Sequence, residues 1–260
     1  MNWPFETRRQ VLNACRNGRP YPETAERFGV PQGTIGYWVF VDRARRGEPA
    51  PRRASTCPRC DSVPLDRQAY SYLLGLYLGD GHIVSKPKNH HLSIYCCDGW
   101  PGLLAEAESA IVAVMPGYSN GRNQKPGCTE VKSYTMHWTC LLPQHGPGMK
   151  HTRPIVLDPW QSEIVAEHPW PLIRGLIHSD GCRVTNWTTT KLADGRTKRY
   201  EYPRYIFTNK SDDIREIYSD ALDAVGVEWR VSRRGADPYH VSVARRASVA
   251  LMDEHVGPKY

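Results

Sequence analysis

Residues 73–81 read LLGLYLGDG, and residues 173–181 read IRGLIHSDG. Each is an apolar run carrying Gly-Leu, then a small residue four places after the glycine, then Asp-Gly. Gly75 and Gly79 lie one helical turn apart, as do Gly175 and Ser179. Small residues at i and i+4 let two helix backbones approach closely, where larger side chains hold them apart. The spacing therefore predicts two helices crossing on those four residues. Leu73, Leu76 and Tyr77, with Ile173, Leu176 and Ile177, would be anchored in flanking cores. Gly81 and Gly181 are expected as left-handed C-caps that turn each chain into a strand.

Asp80 and Asp180 then stand at two helix C-termini, where the macrodipole is negative. Crossing helices bring both together, and like-charged carboxylates a few ångströms apart are costly unless a cation joins them. Oxygen-only ligation of this kind suits Mg²⁺ or Mn²⁺, completed by water and phosphate oxygens. A single such Asp reads as a solvated helix end. Two at matched positions of a repeat read as a site.

Outward from the two segments, the pattern itself is written twice. A helix is expected at 67–79, strands at 82–85 and 91–97, a helix at 101–114 and a β-rich stretch at 130–142. A Gly/Pro/His-rich loop, 143–153, leads to a helix near 159–167. Then follow a helix at 170–179, strands at 182–190 and 203–208, a helix at 211–225, strands at 227–233 and 239–244, and a helix at 246–254. The repeat is roughly 95 residues, too long for a solenoid unit and suited to two pseudo-symmetric halves. The expected fold class is α+β: two αββαββα halves, about 66–158 and 159–260, preceded by a small all-α domain.

That domain is expected at 1–45, as helices at 5–17, 22–28 and 32–45. The middle stretch has the pattern of a helix-turn-helix, with Ala25 at the crossing, Gly29 in the left-handed turn, and Val30, Ile35 and Trp38 in the small core. Gln32, Thr34 and Tyr37 would face outward on the recognition helix, with polar tips suited to base edges and phosphates. A basic Pro/Arg linker follows at 46–65, and Arg43, Arg45 and Arg46, where helix passes into linker, could lie along a phosphate backbone.

The charge distribution agrees. Of a net +7, residues 1–56 carry +5, from ten Arg, no Lys and five acids. Double-stranded DNA is the expected acidic partner. The composition, 40% hydrophobic and 23% charged, is ordinary globular material, and no run approaches the roughly 18 apolar residues of a membrane helix. The N-terminal MNWPFETRRQ lacks an apolar signal core. The expectation is a cytoplasmic, nucleoid-associated protein of a bacterium or phage, without membrane partners. Eight cysteines in a reducing compartment argue against disulfides. Only Cys57 and Cys60 have metal-ligand spacing, half of a structural Zn²⁺ site that Cys96, Cys128 or Cys140 could complete.

The chain resembles the LAGLIDADG homing endonucleases in their single-chain, two-motif form, over about 66–256. The resemblance rests on Gly75-Leu76, Asp80-Gly81, Gly175-Leu176-Ile177 and Asp180-Gly181, and on the repeat between them. It implies two β-sheets over the DNA major groove, a monomer that contains both halves, and metal-dependent cleavage of both strands with Asp80 and Asp180 as ligands. It also implies a basic residue late in each half: Arg245 or Arg246 in the second, Lys150 in the first. The motif's sixth position, often Asp, is Leu78 in one half and His178 in the other. A second resemblance is to sporulation regulators of actinobacteria, which join a homing-endonuclease-like domain to a helix-turn-helix in the opposite order. It implies a transcriptional regulator that keeps the fold for binding alone. A recombinase or transposase signature is absent from the sequence.

Overall fold

A computed structural model describes residues 3–48, 56–86, 89–118, 120–234 and 237–260. The chain divides into two compact units, Met1–Ser55 and Thr56–Tyr260.

The first unit contains α1 (Phe5–Arg16), α2 (Tyr21–Phe28) and α3 (Gln32–Arg45). Val11, Val30, Ile35 and Trp38 form its core, with Leu12, Cys15, Ala25, Phe28 and Val39 packed around them. Gly29 ends α2 at φ +64°, in the left-handed region where a side chain is strained. Ala25 is only partly buried; the fully buried residue of α2 is Thr24, whose hydroxyl donates to Pro20 O at 2.9 Å. A β-branched alcohol can occupy a helix core when its hydroxyl bonds back to the preceding turn. Gln32, Tyr37 and Phe40 are exposed on α3, and Thr34 is half-buried. Arg43 pairs with Glu48 at 3.5 Å, and Arg46 pairs with Asp42 at 3.1 Å and also with Glu48. Of the three arginines named above, Arg45 is the one that projects exposed from the last turn of α3 without a partner among these acids. Residues 49–55, the centre of the expected linker, lie outside the described residues.

The second unit is α+β. Its first half runs α4 (Arg67–Leu78), β1 (Gly81–Lys86), β2 (Asn89–Cys97), α5 (Pro101–Val114), β3 (Asn120–Lys125), β4 (Cys128–Ser133) and α6 (Trp138–Leu141). After a 3₁₀ turn, Lys150–Thr152, and α7 (Pro159–Glu167), the second half runs α8 (Pro169–Asp180), β5 (Gly181–Lys191), β6 (Thr197–Thr208), α9 (Asp212–Ala224), β7 (Arg230–Arg234), β8 (Asp237–Val243) and α10 (Arg246–His255). Each half holds a four-stranded antiparallel sheet, ordered β1-β2-β4-β3 and β5-β6-β8-β7. The matching strand orders make the repeat a topological one. Among the described residues no helix is long and apolar enough to cross a membrane.

Three segments differ from expectation. The β-rich reading of 130–142 holds only to Ser133; Trp138 is buried and its indole N–H donates to Ser133 O at 3.0 Å, which turns the chain into α6. β3, NGRNQK, is a polar edge strand with no apolar alternation to reveal it. Cys57, expected in the linker, is buried in the core of the second unit.

That core is continuous across both halves, and α4 lies in it with every residue from Tyr70 to Leu78 buried. α4 begins where the Asp66 carboxylate accepts from Ala69 N–H at 2.9 Å. It crosses α8 backbone to backbone. A Cβ added to Gly75 would stand 2.6 Å from Leu172 O, and one added to Gly175 would stand 2.2 Å from Tyr72 O. Ser71 Oγ donates to His168 O at 2.7 Å, and Arg174 grips Glu106 with two bonds of 3.1 and 2.6 Å, so polar ties flank the crossing. Gly81 and Gly181 are not left-handed caps, and Gly181 has φ −111°. They are glycines because a Cβ would meet Tyr77 Cα at 2.6 Å and Ile177 Cα at 2.8 Å, where each strand folds back over its own helix.

Gly175→Ala places a methyl against a carbonyl that belongs to helix backbone and has no rotamer to yield. The expected loss is about 1–3 kcal/mol, or about 2–4 °C of Tm per kcal/mol for a domain of this size. Gly33→Ala, in α3, meets nothing within 4 Å and should be neutral or stabilising. Thermal melts followed by circular dichroism would show the contrast; an unchanged Tm for Gly175→Ala rules out the crossing.

Candidate functional site

The crossing brings the ends of α4 and α8 side by side. A Cβ on Gly79 would stand 2.1 Å from Ser179 Oγ and 3.2 Å from Asp180 Cγ, so the small residues at the ends of both motifs are in contact. Ser179 turns its hydroxyl back onto Gly175 O and Leu176 O, each at 3.0 Å. Asp80, the next residue after Gly79, opens to solvent, while Asp180 is half-buried.

Two lysines close the helix ends. Lys150 Nζ donates to Gly79 O at 2.8 Å, to Gly81 O at 2.6 Å and to Tyr77 O. Lys259 Nζ donates to Ser179 O at 3.0 Å. Carbonyls at a helix C-terminus lack intrahelical donors, and cations there complement the dipole. Each carboxylate thus has a lysine anchored on the backbone beside it. Asn209 adds a bond of 2.6 Å from its amide to Asp180 Oδ2.

The electrostatics are only partly balanced. Burial pushes the Asp180 carboxyl up to about 6, with the Asp80 charge adding to the effect, while Asn209, Lys150 and Lys259 pull it back. Crowding by protein likewise raises Asp80, against Lys259 and Lys150. Burial lowers the Lys150 ammonium to about 8, although both carboxylates support its charge, and Lys259 is lowered for the same reason. Two ammoniums therefore fail to restore Asp180 to an ordinary carboxylate. Two neighbouring carboxylates, both hard oxygen donors and one of them open to solvent, fit a hard divalent cation such as Mg²⁺ or Mn²⁺.

Of the residues expected from sequence, Asp80, Asp180 and Lys150 come together here, and Gly75, Gly79, Gly175 and Ser179 form the crossing. Arg245 and Arg246 do not join them. Arg245 is exposed and bridges Glu228 at 2.9 Å, and Arg246 is exposed at the start of α10. Lys259, which donates to a carbonyl of the second helix end as Lys150 does at the first, was not singled out from the sequence, nor was Asn209. A signal existed: His145-Gly-Pro-Gly-Met-Lys150 closes the first half, and His255-Val-Gly-Pro-Lys259 closes the second. The divergent sixth positions are core residues. Leu78 is fully buried; His178 is buried beside Tyr72, whose hydroxyl lies 2.9 Å from Nδ1. Burial and Arg174 hold His178 down to about 4, so its 3.8 Å approach to Glu106 is not an ion pair at neutral pH.

A second feature escaped the sequence reading. The β5–β6 hairpin carries exposed Trp187 and Tyr200, with the Arg199 guanidinium 4.9 Å from the Trp187 ring centre and Lys198 Nζ 5.0 Å from that of Tyr200. Arg204 lies over Tyr202 at 5.6 Å. Cationic groups interleaved with flat rings are chemistry suited to phosphates and bases.

The raised Asp180 carboxyl has a measurable consequence. A group whose folded pKa lies above its unfolded value stabilises the fold at low pH and loses that contribution as pH rises through the folded value. At neutral pH the ionised Asp180 should therefore cost about 1–3 kcal/mol, discounted for its partial exposure. Asp180→Asn is expected to raise Tm at pH 8 and to leave it unchanged near pH 3.5. Equal shifts at both pH values would show that Asp180 titrates as an ordinary surface carboxylate.

No protein-family model matches the chain, and no curated protein matches it. Similar solved structures include mesophilic variants of the homing endonuclease I-DmoI, at 13% identity and TM-score 0.44, covering 74% of this chain and 96% of that one. I-DmoI in complex with DNA and Ca is similar at 13% identity and TM-score 0.47, covering 73% of this chain and 89% of that one. The N-terminal LAGLIDADG domain of DUF199/WhiA is similar at 10% identity and TM-score 0.45, covering 75% of this chain and 86% of that one.

Proposed function

We propose that the chain is a LAGLIDADG-type endonuclease that binds double-stranded DNA as a monomer and hydrolyses phosphodiester bonds with Mg²⁺ or Mn²⁺ held by Asp80 and Asp180. The observation that carries this reading is the meeting of Asp80 and Asp180 at the ends of two helices in backbone contact, with Lys150 and Lys259 anchored on the carbonyls beside them. Two hard oxygen donors on neighbouring helix ends, one of them open to solvent, suit a divalent cation.

The division of labour follows from position. Asp80 and Asp180 supply one carboxylate from each half, as a duplex with two strands requires. Lys150 and Lys259, fixed by carbonyls, offset the negative helix ends and draw in phosphate that the carboxylates alone would repel. Asn209 orients the Asp180 carboxylate by holding one of its oxygens. The bound ion would lower the pKa of an attacking water and polarise the phosphate. Water oxygen would bond to phosphorus, its proton passing to solvent, as the bond to the leaving sugar oxygen breaks and that oxygen takes up a proton from solvent. The β5–β6 hairpin contributes stacking surface and charge, and α1–α3 bind DNA as a helix-turn-helix through Gln32, Thr34, Tyr37 and Arg45.

One observation favours a second reading, a helix-turn-helix regulator that binds DNA without cutting. Lys150 and Lys259 already neutralise the formal charge of the pair, so the fold can stand without an ion.

The experiment is incubation of supercoiled and linear DNA carrying the bound site with the protein, with and without Mg²⁺ or Mn²⁺. The endonuclease reading expects double-strand breaks from the parent. Asp80→Asn and Asp180→Asn should each lose cleavage by at least about 100-fold while binding DNA at least as well in metal-free buffer. No cleavage with either metal on a site the protein demonstrably binds would leave the regulator standing. With Asp180 required ionised and Lys150 required protonated, single-turnover rates should fall as pH rises through about 8, and the acid limb should lie below about 6 because a bound cation favours the carboxylate. A rate that keeps climbing above pH 8 would show that the charge on Lys150 is not needed.

A further inference from the structure

Away from the helix crossing, four soft donors converge. The Cys57-Pro-Arg-Cys60 turn meets α6, which offers His137 at its N-cap and Cys140 one turn later. One potential ligand atom from each of Cys57, Cys60, His137 and Cys140 lies within 4.8 Å of all the others. Cys60 Sγ and Cys140 Sγ stand 3.5 Å apart, and Cys140 Sγ stands 3.8 Å from His137 Nδ1. A tetrahedron with metal–sulfur bonds of about 2.3 Å has edges of about 3.8 Å. These separations are therefore ready for a metal and too long for a disulfide, whose sulfurs bond at about 2.05 Å.

The two pairs have the form of knuckles. Cys-x-x-Cys is a tight turn in which Asp61 N–H donates to Cys57 O at 3.0 Å. His-x-x-Cys is one helical turn, which puts both side chains on the same face. The turn is pinned independently, because the Arg59 guanidinium lies 4.6 Å from the Trp160 ring centre. Cys57 is fully buried while Cys60 is exposed, so the cluster has an apolar floor and an open side through which an ion can enter. Cys96 and Cys128, weighed from sequence as completing ligands, are not members of the cluster.

We propose that Cys57, Cys60, His137 and Cys140 form a structural Zn²⁺ site. Three thiols lose their protons to become ligands and the imidazole binds as the neutral base, so binding releases protons and leaves the centre with a net charge of −1. Its mechanical role follows from what α6 touches. Tyr70 of α4 donates its hydroxyl to Leu141 O at 2.6 Å, and Gln161 Nε2 donates to that hydroxyl at 2.7 Å. The loop after α6 leads directly to Lys150. Zinc therefore ties the entry of the second unit to the segment that carries Lys150 to the end of α4.

The test is elemental analysis of the full-length protein expressed with zinc and purified without chelator, followed by Co²⁺ titration of the stripped protein. One zinc per chain is expected, with the strong visible absorption of tetrahedral cobalt thiolate. Stripping should lower Tm by several degrees, and Zn²⁺ should restore it. Cys60→Ser and His137→Ala should each weaken binding at least about 10-fold; both change side chains that are not fully buried, so folding should survive. Cys97→Ser, Cys182→Ser and Asp180→Asn should leave the stoichiometry at one. Absence of stoichiometric zinc or cobalt in folded protein would overturn the proposal. So would undiminished binding by the Cys60→Ser, Cys140→Ser double variant, or a Cys60–Cys140 disulfide found by mass spectrometry under reducing purification. None of these results depends on whether the protein cleaves DNA.

Discussion

Two helices touching through their backbones impose most of what is distinctive here. Gly75 and Gly175 remove the side chains that would keep α4 and α8 apart, and the carbonyls of Leu172 and Tyr72 fill that space. Contact at that distance fixes the rotation of each helix, since only the glycine faces can meet. Once the faces are fixed, Leu73, Leu76, Ile173 and Leu176 are held in the one core that continues under both sheets. The helix ends then have no freedom either. They stop side by side, with one carboxylate on each.

Such an arrangement concentrates negative charge where the backbone is already negative. The chain offsets this from a distance in sequence: Lys150 and Lys259 return from the ends of the two halves and bond the exposed carbonyls rather than the carboxylates. The result is a site in which acids and bases both sit away from their usual pKa values because all four are crowded by protein. Charge here is organised by geometry first and by pairing second.

The sequence made the crossing legible because glycine spacing is a local signal with one strong physical meaning. The strand-helix rhythm was legible for the same reason wherever apolar periodicity was clean, as in α9 and β2. It failed in β3, where Asn120–Lys125 has no inward face to mark, and at 134–142, where buried Trp138 mimics a strand residue while its indole ties the chain into a turn. The candidate site was half legible. Asp80 and Asp180 announce themselves by repetition, and Lys150 by its place in a loop. Lys259 and Asn209 act through contacts some 80 and 29 residues distant in sequence, which no local pattern encodes. Arg245 and Arg246 lie exposed at the start of α10, Arg245 paired with Glu228, a placement set by strand and helix ends that residue type alone does not reveal. His137 was overlooked because its partners Cys57 and Cys60 lie far upstream.

The halves share one topology and differ in size. β1 and β2 have 6 and 9 residues, whereas β5 and β6 have 11 and 12. At about 3.3 Å per residue the second hairpin extends about 36 Å and the first about 20 Å. The longer arm carries Trp187, Tyr200 and their cations, and the shorter carries His82 stacked against Tyr95. The repeat is therefore one of topology and not of dimension, and the two hairpins of the second unit are not interchangeable. Two identical surfaces offered to this pair would meet arms of unequal reach and unequal chemistry.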